Sequence, residues 1–219
     1  TVHHSIYAHD AARNPRVNTI VLDFRNNVVY NWGYRGGYTT AGPAFINYVN
    51  NYFKAGPDTS KGVRTRIFEP GDDTPRFFFE GNILADGAEQ TDNNQLLIRL
   101  PKNAEMEAFT RTVFVAEAFP APSVTTESAQ NALEHVLAEA GATLPARDSA
   151  DTRLMDEIRT GTGRIINSPE DVGGWPELAP GDAAPDADSD GLPDAWEQQY
   201  QAEDALADAD QDGYPNLEE

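Results

Sequence analysis

The chain has 219 residues, no cysteine, 16 Lys and Arg against 36 Asp and Glu, and a formal net charge of −20. This composition excludes disulfides and thiolate metal sites, and its anionic balance argues against nucleic acid or an anionic membrane as a partner. Neither a membrane-spanning apolar run nor a signal peptide is legible, and charge is unevenly spread, since residues 169–219 hold 16 acids and no base.

The predicted elements begin at residue 1. His3-His4-Ser5-Ile6-Tyr7, Asn26-Asn27-Val28-Val29-Tyr30, Asn50-Asn51-Tyr52-Phe53 and Gly81-Asn82-Ile83-Leu84 align on a shared doublet. The first three are almost evenly spaced, and the interval lengthens before the fourth. Each joins small or polar residues to β-branched or aromatic ones, as half-buried strands do. A repeat of this length predicts stacked coils, because one unit cannot bury its own apolar face. His4, Asn27, Asn51 and Asn82 then fall in one column, where side-chain amides can bond along the stack as a ladder. The competing reading makes them turn residues tolerant of left-handed backbone. The predicted fold is all-β, a right-handed parallel β-helix with short packing helices and an acidic tail.

Between these units, residues 33–44 read as a Gly-rich excursion, and Val63–Phe68 as a strand between Gly56-Pro57 and Pro70-Gly71. Leu96–Leu100 and Thr112–Ala116 are weaker strand candidates. Ala129–Ala140 carries Ala132, Leu133, Val136, Leu137 and Ala140 at helical spacing and stops at Gly141, and Ala150–Thr160 stops at Gly161. We expect three regions: coils and loops at 1–125, a helical closing segment at 126–178, and a tail at 179–219.

The tail carries the most specific motif. Asp186, Asp188, Asp190, Asp194 and Glu197 occupy positions 1, 3, 5, 9 and 12 of a loop with Gly191 at 6. Asp208, Asp210, Asp212, Asn216 and Glu219 repeat the same pattern around Gly213. This is the spacing of an EF-hand-type Ca2+ loop, with main-chain carbonyls of Leu192 and Tyr214 at position 7. Pro193 and Pro215 at position 8 make it more similar to dockerin-like or thrombospondin type 3 repeats than to a sensor EF-hand.

His3-His4 through Arg13-Asn14-Pro15-Arg16-Val17, Asp23–Trp32, Val49–Pro57, Gly81-Asn82 and Thr160–Pro176 together resemble the C-terminal portion of a polysaccharide lyase family 1 pectate lyase. The resemblance implies a secreted enzyme that cleaves α-1,4-polygalacturonate by β-elimination. It makes Arg13 the base that takes the C5 proton, with Arg16 as its carboxylate-binding partner; Arg35 and Lys54 are further candidates for substrate-binding cations from their residue type, with coil-edge cover as the competing reading. Guanidinium forks suit uronate carboxylates, and positive charge stabilises the carbanion-like transition state. Arginine is a reluctant base, with a free pKa above about 12. The resemblance answers this with substrate-bridging Ca2+ and neighbouring cations, and implies that the aspartates holding that Ca2+ lie on coils upstream of residue 1. The chain is therefore expected to begin inside a larger protein, to be inactive alone, and to need those coils or a partner chain to complete the stack. Tyr30, Trp32, Tyr34 and Tyr38 either line sugar subsites or cover coil edges. The second functional class is a non-catalytic extracellular β-helix module for adhesion or assembly.

Overall fold

Alternation of inward apolar and outward polar residues organises the first 100 residues into coils. The computed structural model describes the chain except residues 19, 41, 103, 145, 178–180, 203, 212 and 219. The first coil holds β1 (Val2–His3), β2 (Ile6–Ala8) and β3 (Arg16–Val17). The second holds β4 (Val21–Arg25), β5 (Val28–Tyr30) and β6 (Gly37–Thr39), and the third β7 (Phe45–Val49), β8 (Tyr52–Lys54) and β9 (Phe68–Glu69). A fourth contributes β10 (Arg76–Glu80) and β11 (Ile83–Leu84).

These strands pair in parallel across successive coils into three sheets: β1-β4-β7-β10, β2-β5-β8-β11 and β3-β6-β9. Parallel strands in three such sheets make a parallel β-helix. Phe24, Tyr48 and Phe79 stack face to face inside it at centroid separations of 4.8 and 5.0 Å. Burying rings of this size stabilises the fold by about 1.5–3 kcal/mol each.

The ladder is real but shifted. Asn27 Nδ2 donates to Asn51 Oδ1 at 3.1 Å, Asn51 Nδ2 to Asn82 Oδ1 at 2.8 Å, and Asn82 Nδ2 to Asn94 Oδ1 at 2.9 Å. His4 is not a member. The register pairs Ile6 with Val28, so Ser5 stands opposite Asn27 and its N–H donates to Asn27 Oδ1 at 3.0 Å. His4 belongs to the neighbouring column of left-handed residues, with φ of 48°, 53°, 51° and 64° at His4, Asn26, Asn50 and Gly81. Both readings of the doublets therefore hold, on adjacent residues. At Gly81 a Cβ would fall 1.8 Å from Asn50 Oδ1.

The Gly-rich run is not an excursion, because it contains β6. A Cβ on Gly36 would meet the Ile67 carbonyl oxygen at 2.4 Å, and one on Gly37 would meet Phe68 and the Tyr48 hydroxyl at 2.6 Å. The expected strand at Val63–Phe68 is a 3-10 turn at Lys61–Val63 followed by the shorter β9. Leu96–Leu100 and Thr112–Ala116 give only single bridges, Ile98 to Phe68 and Phe114 to Phe77. Helices α1 (Ala88–Asp92) and α2 (Met106–Val113) fill this region instead, α2 burying Phe109 and Val113.

The predicted helices are α3 (Ala129–Glu139) and α4 (Ser149–Thr160), capped by Ser128 and Asp148 and, for α4, ended by Gly161 at φ 74°. They pack on the second sheet, where Val136, Leu137, Met155 and Ile158 bury Val28 and Tyr30. The outward face of the first sheet is covered by irregular chain. Asn47 exchanges hydrogen bonds with the Phe119 backbone at 2.9 Å each way, and Asn26 clamps the Glu127 backbone at 2.8 and 3.2 Å. Beneath this cover, burial raises the Asp23 carboxyl, but hydrogen bonds from Arg25 and Asn47 outweigh it and hold Asp23 below the ordinary value.

Residues 178–219 form a separate compact unit from residues 1–177. It has one helix among its described residues, α5 (Asp194–Tyr200), and a small interior of Leu192, Ala202, Ala205 and Asn216.

Candidate functional site

The third sheet carries a row of arginines and a glutamate around one tyrosine. Arg16 on β3 stands opposite Tyr38 on β6, and Tyr38 opposite Glu69 on β9. Arg99 follows the Ile98 bridge and extends the row, donating to Glu69 at 3.3 Å. Arg35, just before β6, lies 5.1 Å from the Tyr38 ring centroid and pairs with Glu69 at 3.3 Å, while Arg16 lies 6.0 Å from the same ring. Tyr38 is 8% exposed because these guanidiniums lie across it.

Arg13 sits in a held turn three residues before β3 begins. Its φ of 76° is left-handed, a conformation costing an arginine about 1–2 kcal/mol. The next residue is anchored. Asn14 is 1% exposed, its N–H donates to the Gly36 carbonyl at 3.2 Å, its Nδ2 to the Arg35 carbonyl at 3.3 Å, and its carbonyl accepts from the Tyr48 hydroxyl at 3.1 Å. The Asn14–Pro15 bond is cis, and the Pro15 carbonyl accepts the Tyr38 N–H at 3.0 Å.

The guanidiniums of Arg13 and Arg16 stand apart from the rest. Every other arginine gives a hydrogen bond or ion pair to a carboxylate or carbonyl, from Arg25 on Asp23 to Arg147 on the last carbonyls of α3. Arg13 and Arg16 make no such bond with any described residue and are exposed. Two exposed cations three residues apart, one in the turn before β3 and one on it, with no carboxylate taking up their charge among the described residues, suit an anion.

Lys54 serves elsewhere. It lies on β8 in the second sheet, and its ammonium donates to the carbonyls of Ile158 at 2.7 Å and Arg159 at 3.0 Å. It satisfies the C-terminus of α4 and is spent as a substrate cation. Tyr30 and Trp32 are fully buried and line no subsite. Burial, then the charges of Glu157 and Asp58, push the Tyr30 hydroxyl up to about 12, and it donates to the Thr162 carbonyl at 2.5 Å. Tyr34 is exposed, with Arg35 5.9 Å from its ring. The spacing of the sequence did not reveal Glu69 and Arg99, because the coil containing them departs from the even repeat of the first three doublets.

In the tail unit the two loops share one backbone turn. Ser189 and Gln211 have φ of 62° and 64°, and Gly191 and Gly213 both have 101°. Gly191 N–H donates to Asp186 Oδ2 at 3.1 Å, and Gly213 N–H to Asp208 Oδ2 at 2.9 Å. Ala187 N–H likewise reaches Asp194 Oδ1 at 2.8 Å, and Ala209 N–H reaches Asn216 Oδ1 at 3.2 Å. In the first loop, carboxylate oxygens of Asp186, Asp188 and Asp190 all lie within 4.8 Å of one another. Desolvation and the charges of Asp188, Asp190, Asp194 and Asp186 push the Glu197 carboxyl above its ordinary value. This all-oxygen donor set fits a hard divalent cation. In the second loop Asp208, Asp210, Tyr214 and Asn216 are described, whereas Asp212 and Glu219 lie outside the described residues.

No family model matches the chain. It is similar to fungal proteins named "probable pectate lyase C". That of Aspergillus flavus is 33% identical over 196 residues, covering 87% of this chain and 44% of the relative. Those of Neosartorya fischeri and Aspergillus fumigatus are 34% identical over 202 residues, covering 89% of this chain and 45% of each relative. The chain thus has a pectate lyase-like relationship, and it spans less than half the length of the relatives it matches. Residues 1–177 alone are too few to supply a match covering 87% of the chain, so these matches reach into the tail. No helix among the described residues is long and apolar enough to cross a membrane.

Proposed function

We propose that the chain forms part of a secreted pectate lyase that cleaves α-1,4-polygalacturonate by β-elimination, with Arg13 as base. The observation that carries this reading is the pair of exposed guanidiniums, Arg13 in the turn before β3 and Arg16 on β3, without a carboxylate or carbonyl partner among the described residues, in a β-helix related to proteins of that name. Arg16 grips a uronate carboxylate by two-point hydrogen bonding. Arg13 takes the proton from C5, the C–H electron pair becomes the C4–C5 double bond, and the C4–O bond breaks with its electrons leaving on oxygen. The leaving oxygen then acquires a proton. Cations beside the carboxylate stabilise the charge that builds at C5.

The described third sheet offers one carboxylate, Glu69, already paired with two arginines. Calcium bridging the substrate would need ligands from elsewhere in the full-length protein, so the 219-residue chain is inactive alone. In the tail, Asp186, Asp188, Asp190, Asp194, Glu197 and the Leu192 carbonyl hold a structural Ca2+, and Asp208, Asp210, Asp212, Tyr214, Asn216 and Glu219 a second. Bound calcium offsets the mutual repulsion of these carboxylates.

The test is formation of unsaturated uronides from polygalacturonate, followed by ultraviolet absorption. Full-length protein yields product with calcium and none with a chelator, and the 219-residue chain yields none. Absence of product from full-length protein with calcium present would replace this reading with that of a non-catalytic extracellular module.

A further inference from the structure

Glu69 divides itself between two arginines from different coils. Its Oε2 meets Arg35 Nε and its Oε1 meets Arg99 Nη1, each at 3.3 Å. The arginine side chains are 44% and 56% exposed, against 16% for the carboxylate. Each guanidinium has five N–H donors in a fixed fork, so one shared carboxylate leaves most of them facing water. Exposed pairs of this kind add little to the stability of a fold, so stability does not account for the arrangement. Its placement does. Arg16, Tyr38, Glu69 and Arg99 are successive members of one outward row along the coil axis. At about 4.8 Å per ladder step, Arg99 lies roughly 14 Å beyond Arg16. A polymer with one carboxylate per sugar, held at Arg13 and Arg16 and lying along the axis, passes over Tyr38 and meets this cluster.

We propose that Arg35 and Arg99 form a second carboxylate-binding subsite for the same polyuronate chain, and that Glu69 is a built-in competitor filling it when substrate is absent. The proposal rests on the polyuronate reading above. Glu69 keeps two like charges together and aims Arg35 across Tyr38. An incoming uronate carboxylate displaces it, so part of the binding free energy is offset and long products leave more readily.

The experiment is equilibrium binding of size-defined oligogalacturonates, with calcium present, to full-length protein kept from cleaving them by Arg13→Ala, comparing a dimer with a decamer. Arg99→Ala weakens decamer binding about 5- to 10-fold, as expected for one charge-assisted contact, and leaves dimer binding within about twofold. Glu69→Gln keeps the shape and removes the competing charge, so it tightens decamer binding about threefold or more. Arg111→Ala removes the same charge from α2, where Arg111 pairs only with Glu107, and changes neither. The second subsite is overturned if Arg99→Ala behaves like Arg111→Ala, or if Glu69→Gln weakens binding. If the Arg13→Ala full-length protein binds neither oligomer with calcium present, the polyuronate reading itself fails. Unchanged urea-unfolding midpoints show that the variants are folded.

Discussion

Replacing Asn51 by alanine strikes the coil stack in the buried middle of its ladder. Asn51 is fully buried, and its side chain makes four hydrogen bonds. Its Oδ1 accepts from the Asn27 N–H at 3.0 Å and Asn27 Nδ2 at 3.1 Å, and its Nδ2 donates to the Phe24 carbonyl at 2.9 Å and Asn82 Oδ1 at 2.8 Å. Each contributes about 1 kcal/mol net, and a stranded buried donor costs about 1–3 kcal/mol more. Asn82 Oδ1 keeps the Asn51 N–H at 3.1 Å, so the groups left worst off are the Asn27 N–H and the Phe24 carbonyl. The sum is a loss of about 4–6 kcal/mol, falling to about 2 if water enters the vacated space. Asn94 also makes four side-chain hydrogen bonds, but it is only partly buried, so water replaces most of them and Asn94→Ala costs about 1–2 kcal/mol. Urea unfolding monitored by circular dichroism, with an unchanged m-value, measures both. A loss below about 1 kcal/mol at Asn51, or one equal to that at Asn94, would refute the ladder as a main tie between coils.

Gly81→Ala combines a left-handed φ of 64° with a Cβ 1.8 Å from Asn50 Oδ1, so a destabilisation of about 2–4 kcal/mol is expected in the same assay. A neutral result would mean that the turn column is more plastic than its packing. Tyr30 is held neutral up to about 12 in the fold, while the unfolded phenol ionises near 10. Its stabilisation is thus intact below pH 10 and is lost as pH rises from about 10 to 12. Tyr30→Phe should cost about 1 kcal/mol at pH 9 for the lost hydrogen bond, and that deficit should shrink by pH 11.5. A deficit that stays constant or widens would contradict the assigned shift. Calcium should raise the melting temperature of the tail unit, and Asp188→Ala with Asp190→Ala should abolish the part of this gain due to the first loop. Titration calorimetry with the double variant still binding two ions would contradict the ligand assignment.

The coil stack was legible because its tie residues are chemically distinctive. Asn-Asn doublets followed by Val, Tyr or Phe mark both the ladder and the left-handed turn beside it. The error at His4 arose because the first coil, closing between Ser5 and Asn27, is one residue shorter than an alignment on doublets assumes. Strand β6 was missed because its glycines read as loop, although Gly36 and Gly37 are there to let Ile67 and Phe68 approach. Helix α2 was missed because Phe109 and Val113 are its only fully buried residues. Arg13 and Arg16 stood out by motif alone. Lys54 was a candidate by residue type alone, and only three-dimensional placement shows its ammonium on the carbonyls of α4. Glu69 and Arg99 lie 30 residues apart, so their pairing follows from coil stacking and from no local pattern.

The most direct measurement compares full-length protein with its Arg13→Ala variant on polygalacturonate, recording both the rate of unsaturated uronide formation and the affinity for the polymer. Removing the base while Arg16 remains should lower kcat at least about 10³-fold and leave affinity within about threefold. Unreduced turnover in Arg13→Ala would contradict the assignment of the third sheet as the catalytic face.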